Sequence, residues 1–302
     1  MEEMTTGLCP KCGHTLQIPA ELERFSCMYG GERLTKRQLL TQPEEASCSE
    51  EDCAVSFDHA VSRLGWCVQN FRGYQKKILR DAFFEAFETY ETGCAPVIQE
   101  LNSGVRPERQ TELLDRAAEA MLDELSAGWE KKNDMEDEKV ILAIFFVPMV
   151  RKLQLPVSEE FVSLLQKKWV ERYPKSPFYL GDYESISGGF RKKFLGLCFI
   201  TTAVCQELGK PDDCAELTAF RAFRDGYLAA QPDGEALIRE YYNIAPGIVT
   251  CINTCSDRHA SYERIREQYL TPCYEDLLAG RNADCKTRYV QMVRDLEREY
   301  LN

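Results

Sequence analysis

Histidine is scarce in this sequence, and the familiar catalytic signatures are missing with it. Only His14, His59 and His259 are present, so a Cys–His catalytic pair has few places to form. The run Asp257-Arg258-His259 reads as a polar loop after Cys255. There is no His-Glu-x-x-His helix, no glycine-rich phosphate loop and no nucleophile elbow. Long hydrophobic runs are also absent. The most apolar stretch, Val140 to Val150, is followed at once by Arg151 and Lys152. It falls far short of the ~20 residues a helix needs to cross a bilayer, and it reads as a helix buried in the core. No transmembrane segment is expected, and Glu2 and Glu3 in the first eight residues argue against a secretory signal there. Basic side chains number 37 against 49 acidic ones, for a net charge of −12. Such a surface repels a phosphate backbone, so general nucleic-acid binding is not expected. The short basic run Arg191-Lys192-Lys193 reads as a solvated face. Period-two alternation of any length is missing, which excludes a large sheet, and no repeat of fixed period is visible.

What remains is a chain of 302 residues, 44% hydrophobic and 11% aromatic, long enough for two or three domains with real cores. Helical spacing recurs along it. Ile78, Leu79, Ala82, Phe83 and Ala86 mark one buried face, and Leu113, Leu114, Ala117, Ala120, Met121 and Leu125 a second. Phe161, Leu164, Leu165 and Trp169 mark a third after the stop at Pro156. Ser187-Gly188-Gly189 reads as a helix breaker, Leu208-Gly209 as a helix end, and Asp213 with Glu216 as a capping box. A turn at Gln231-Pro232-Asp233-Gly234 precedes a helix bent or ended near Pro246, and two more helices flank Gly280-Arg281-Asn282. The expected fold is mainly α: a small amino-terminal zinc-ribbon-like β module followed by an all-α helical body. The expected divisions are a knuckle module over 1–40, an acidic linker over 41–60, a helical domain over 61–189 and a second helical domain over 190–302.

Fourteen cysteines is a high number. A chain able to build its own core does not need a disulfide scaffold, and without a secretory signal a reducing, cytoplasmic setting is expected. Metal ligation, reactive thiols and plain burial then divide the cysteines among them. Cys9-Pro10-Lys11-Cys12-Gly13 is a zinc knuckle in which the two-residue spacing aims both thiolates at one ion. The second half, Cys27-Met28-Tyr29-Gly30-Gly31, has Gly30 where the fourth thiolate belongs. A closed structural site needs four ligands, so Cys9, Cys12 and Cys27 require a fourth, with Cys48, Cys53 and His14 as the candidates and Cys48 taken forward. Three thiolates make a poor Lewis-acid site, so a structural zinc is expected.

The last third carries Leu197-Cys198-Phe199-Ile200-Thr201-Thr202-Ala203-Val204-Cys205, then Cys214-Ala215-Glu216-Leu217-Thr218, then Phe220-Arg221-Ala222-Phe223-Arg224-Asp225, then Tyr241-Tyr242-Asn243-Ile244-Ala245-Pro246. Together these resemble the CFI-box carboxy-terminal domain family of bacterial proteins. The resemblance covers about sixty residues, and it implies a bacterial origin and an architecture that pairs a zinc ribbon with this box. It implies no reaction. On one helix Cys198 and Cys205 stand about 10 Å apart along the axis, too far for a disulfide. Cys205 and Cys214 can meet across the Gly209-Lys210-Pro211 turn, with Cys273 as a possible third member. These thiols pack as small hydrophobes, bind a metal or act as redox partners, or include a nucleophile at Cys198 or Cys205. In the Arg221-Ala222-Phe223-Arg224-Asp225 run, Arg221 and Asp225 lie four apart on a helix and can pair; an arginine near a cysteine would lower the thiol pKa, or would equally well bridge two helices as a structural ion pair. The apolar flanks of Cys198 predict a buried, raised-pKa thiol, at which serine costs more stability than alanine unless its hydroxyl finds a partner. The functional expectation is a zinc-binding interaction or scaffold protein with a protein partner. The alternative is a thiol-dependent enzyme or redox protein using Cys198 or Cys205.

Overall fold

Two short antiparallel hairpins open the chain in the computed structural model, which describes residues 4–8, 15–19, 22, 24–27, 33–35, 50–131, 133–191, 198–254 and 257–301. Strand β1 (Met4–Leu8) pairs with β2 (Thr15–Pro19) from Met4↔Pro19 to Leu8↔Thr15. Strand β3 (Arg24–Ser26) pairs with β4 (Arg33–Thr35) from Arg24↔Thr35 to Ser26↔Arg33. In β2, Leu16 and Ile18 are buried and Gln17 and Pro19 exposed, the two-residue alternation of a strand with one dry face. Among the described residues, the core here is Leu16, Cys27 and Leu34 with Phe25 packed against them. The chain divides into two compact units, Met1–Cys53 and Ala54–Asn302. The fold is mainly α with a small β module at its amino terminus, as expected.

The acidic linker expected over 41–60 is corrected from residue 50 onward, and 41–49 lie outside the described residues. From Glu50 the chain is helical, in α1 (Glu50–Val61). Its acidic residues Glu50, Glu51 and Asp52 form the first turn, where negative charge is favoured by the helix dipole. Helices α2 (Trp66–Gln69), α3 (Phe83–Gly104), α4 (Gln110–Ala127), α5 (Asp134–Ile141), α6 (Val147–Lys152), α7 (Ser158–Arg172) and α8 (Tyr183–Arg191) follow. Leu113, Leu114, Ala117, Met121 and Leu125 are buried on α4, which packs along α7 through Phe161, Leu165 and Trp169. Ile78 and Leu79 precede α3 instead of belonging to it.

Between α5 and α6 the chain makes a π-helical turn, Leu142–Phe146, so that 134–152 is one continuous rod. The widened turn lies just before Pro148, whose ring would clash with the carbonyl of Ile144 in an unbroken α-helix. Every residue from 141 to 150 is buried.

The remaining helices are α9 (Phe199–Glu207), α10 (Ala215–Ala222), α11 (Gly234–Thr254), α12 (Arg258–Ile265), α13 (Thr271–Leu278) and α14 (Asn282–Tyr300). π-helical turns follow α10 at Phe223–Leu228 and α12 at Arg266–Leu270. The expected stops at Gly209 and Gly280 are present, with φ of 68° and 72°, the left-handed conformation glycine adopts without strain. Other expectations fail. Gly188 and Gly189 lie inside α8, and of the bend or end expected near Pro246 the end is absent, since α11 runs through it. The proposed capping box does not form, because Cys214 occupies the cap position of α10 and Glu216 pairs with Lys210. Among the described residues no helix is long and apolar enough to cross a membrane.

The expected boundary between helical domains at residues 189 and 190 is not a boundary in the core. One hydrophobic cluster runs from Phe57 to Leu301. The backbone amides of Arg80 and Asp81 donate to Asn243 O at 3.0 Å and to its side-chain Oδ1 at 3.1 Å. One turn further along α11, Gly247 lies against the backbone of Ile78 so closely that a Cβ there would overlap the Ile78 carbonyl oxygen. Gly247→Ala should therefore cost about 1–3 kcal/mol in overpacking. Gly188→Ala, whose new methyl meets nothing within 4 Å, should gain about 0.5–1 kcal/mol by removing glycine from a helix. Urea denaturation of the full chain checks both signs.

Candidate functional site

Cys198 stands immediately before α9 with φ −101° and ψ 83°, outside the helical region, so the expectation that it shares a continuous helix with Cys205 is corrected. Its carbonyl accepts from Thr202 N at 2.6 Å and starts the helix. Cys198 is 4% exposed, and its thiol faces the 220–225 run. Arg224 lies in the wide turn 223–228, itself 7% exposed. Nη1 of Arg224 donates to Cys198 Sγ at 3.5 Å. Nε and Nη2 fork onto Asp225 Oδ1 and Oδ2 at 2.7 and 2.8 Å. Tyr242 shares a hydrogen bond with the same guanidinium. From the 241–246 run, Tyr241 accepts through its hydroxyl from Ile200 N at 3.0 Å. Tyr289 lies 3.4 Å from that hydroxyl and 3.2 Å from Thr201 Oγ1. Residues from three of the four sequence runs, 197–205, 220–225 and 241–246, thus meet at one buried arginine.

Electrostatics at this junction favour a quiet thiol. Burial pushes the Cys198 thiol up, and the neighbouring Arg224 and Arg221 only oppose that shift. The charge of Arg224 is engaged by Asp225, whose carboxyl is held below its usual range by that hydrogen bond. The adjoining cavity measures about 50 Å³ and is lined mostly by apolar side chains, Phe220, Phe223, Leu237 and Val293 among them. That is far below the ~300–1,000 Å³ of a small-molecule site.

Arg221 does not pair with Asp225 as expected. It donates to Asp212 instead, to the carbonyl through Nη1 and to Oδ1 through Nη2, both at 2.8 Å. The wide turn that starts at Phe223 takes Asp225 off the face Arg221 occupies.

Cys205 and Cys214 do meet: their sulfurs are 3.8 Å apart, and a carboxylate oxygen of Glu216 completes a group whose donor atoms lie within 4.8 Å of one another. Burial, and then Cys214 beside it, push the Cys205 thiol up to about 12. Cys273 is not the third member. Its thiol donates to Cys285 O at 3.9 Å, and Cys285 is pushed up by its hydrogen bond to Cys273 and by burial. A further pair, Cys67 and Cys94, was not legible in the sequence. Cys94 Sγ and Tyr90 Oη both donate to Cys67 O, at 3.8 and 2.7 Å. Nothing but the high cysteine content signalled it, since no motif spans the two residues.

The exposed rings of His59 and His259 face the carboxylates of Glu100 and Glu207, at 2.7 and 3.4 Å. Of the expected zinc ligands, Cys27 is buried between Leu16 and Leu34. Cys9, Cys12 and Cys48, together with His14 and Gly30, lie outside the described residues. Comparison of the chain with family models, with curated proteins and with solved structures finds no match in any of the three.

The Arg224 contact revises one expectation from sequence. A serine at 198 retains an acceptor for Nη1, whereas alanine removes one partner of a buried guanidinium. The order of stability should be wild type, then Cys198→Ser, then Cys198→Ala, with alanine costing about 1–3 kcal/mol. Urea denaturation of the full chain reads it, and an alanine variant at least as stable as the serine variant would show that the contact carries no weight.

Proposed function

We propose that this chain is a zinc-holding interaction protein of the CFI-box type, from a bacterial cytoplasm, in which the amino-terminal module engages a protein partner and the helical body supports it. The observation that carries the reading is where the hairpins close. The last pair of the first hairpin, Leu8↔Thr15, brackets the sequence holding Cys9 and Cys12, and the last pair of the second, Ser26↔Arg33, is followed directly by Cys27. A Cys-x-x-Cys pair with a further cysteine beyond it in the sequence is the ligand pattern of a structural zinc site. A two-stranded hairpin is marginal by itself in water, and a core as small as Leu16, Cys27 and Leu34 gains from a metal staple. Cys9, Cys12 and Cys27 would hold the ion, with Cys48 as the fourth ligand.

The thiol-enzyme reading has one observation in its favour, the guanidinium 3.5 Å from Cys198 Sγ. Against it stand the burial of that thiol, the engagement of Arg224 by Asp225 and the small cavity. Alkylation of the native chain at about pH 7.5, mapped by mass spectrometry, tests both readings at once. Cys9, Cys12 and Cys27 should become labelled only when a chelator is added, and Cys198 only on unfolding. Labelling of Cys9 and Cys12 without chelator would refute the zinc module. Rapid, selective labelling of Cys198 would favour the enzyme.

A further inference from the structure

We infer that Cys205, Cys214 and Glu216 form a second metal site, in the helical body, for a thiophilic divalent cation of the zinc class. The backbone builds it. Gly209 closes α9 in the left-handed conformation, Lys210 N donates to Cys205 O at 2.8 Å and Gly209 N to Gln206 O at 3.0 Å. These two bonds are a Schellman closure, which reverses the chain and satisfies the last carbonyls of the helix. Pro211 continues the turn, Cys214 N donates to Pro211 O at 3.1 Å, and Cys214 enters α10 from an extended conformation. The last turn of α9 and the first turn of α10 are thereby set side by side, and three donors from them converge.

The geometry suits a tetrahedral ion. Two thiolates bound at ~2.3 Å and separated by the tetrahedral angle stand ~3.8 Å apart, and the two sulfurs are 3.8 Å apart. A carboxylate oxygen at ~2.0 Å from the same ion would lie ~3.5 Å from each sulfur, compatible with the 4.8 Å limit that encloses all three donors. Cys205 is 3% exposed, while Cys214 and Glu216 are half-buried, so the ion is approached from the surface and held toward the interior. Lys210 Nζ bonds Glu216 Oε2 at 2.5 Å. That contact leaves the other carboxylate oxygen for the ion, and the lysine charge balances two thiolates and a carboxylate around a divalent cation. A cavity of about 20 Å³, lined by Cys205, Lys210, Glu216 and Tyr274 among others, adjoins the donors. It has room for one water, the fourth ligand of a site with three protein donors.

The test uses the reduced full chain carrying Cys9→Ser and Cys12→Ser, which removes the amino-terminal thiols, titrated with cadmium and followed by thiolate-to-metal charge-transfer absorbance. Saturation at about one equivalent is expected. Adding Cys214→Ser should abolish it, and Glu216→Gln should weaken it with the helical circular dichroism unchanged. Lys210→Met, which removes the charge beside the carboxylate, should weaken it by ~10-fold. Cadmium uptake that is absent, or that is the same in Cys214→Ser and Glu216→Gln, would overturn the site. So would a Cys205–Cys214 disulfide in protein prepared without reductant, with no metal bound at these residues.

Discussion

Residues 141–150 are buried around the whole circumference of their helix, and a helix apolar on every side has to be enclosed before it is stable. That requirement organises the body. Helices α3, α7 and α8 pack on α6, while α2 and α11 pack on the wide turn before it. Each fully buried Leu, Ile, Phe or Val contributes ~1.5–3 kcal/mol relative to exposure, so no subset of these neighbours can be peeled away cheaply. Because α11 is one of them, the segment 198–301 is part of the same core as the helices that precede it. Gly247 is the place where this is tightest, since backbone meets backbone there.

The amino-terminal end of the same rod carries two charges into the interior, and both are answered. Glu138 accepts from Arg72 Nε at 2.7 Å and from Trp129 Nε1 at 2.8 Å. Lys139 donates to Ser176 Oγ at 2.7 Å and pairs with Glu136. Buried ions are tolerable only when paired and hydrogen-bonded, and these contacts tie α5 to the segments before and after it. Arg224 follows the same logic, with its fork filled by Asp225, Nη1 donating to Cys198 and Tyr242 bonded to the same guanidinium.

Much of this was legible in the sequence. The run 140–150 reads directly as a core helix, and the spacing on α4 and α7 identifies their buried faces, because local pattern and tertiary packing agree there. Gly209 and Gly280 announce their turns for a reason local to the backbone. What was hidden depends on non-local geometry. The π-helical turn after Ala222 moves Asp225 away from Arg221, and no residue pattern in the motif encodes that extra width. Gly188-Gly189 looks like a breaker by propensity, yet packing of Ile186, Ser187 and Phe190 holds the helix through it. The Cys205–Cys214 contact was readable because a short turn joins them; Cys67–Cys94 and Cys273–Cys285 were not, because only the assembled helices bring them together. The division expected near residue 189 failed for the same reason: composition marks it, and the core ignores it.

Residues 54–301, enclosed around 141–150, should open as one cooperative unit, and native-state hydrogen exchange reads that cooperativity residue by residue. The slowest amides of 141–150, of α11 and of α14 should exchange through a common opening with a single free energy and a single denaturant dependence. Persistent protection in 199–301 after the amides of 134–191 have opened would contradict it, and would restore the two-domain reading.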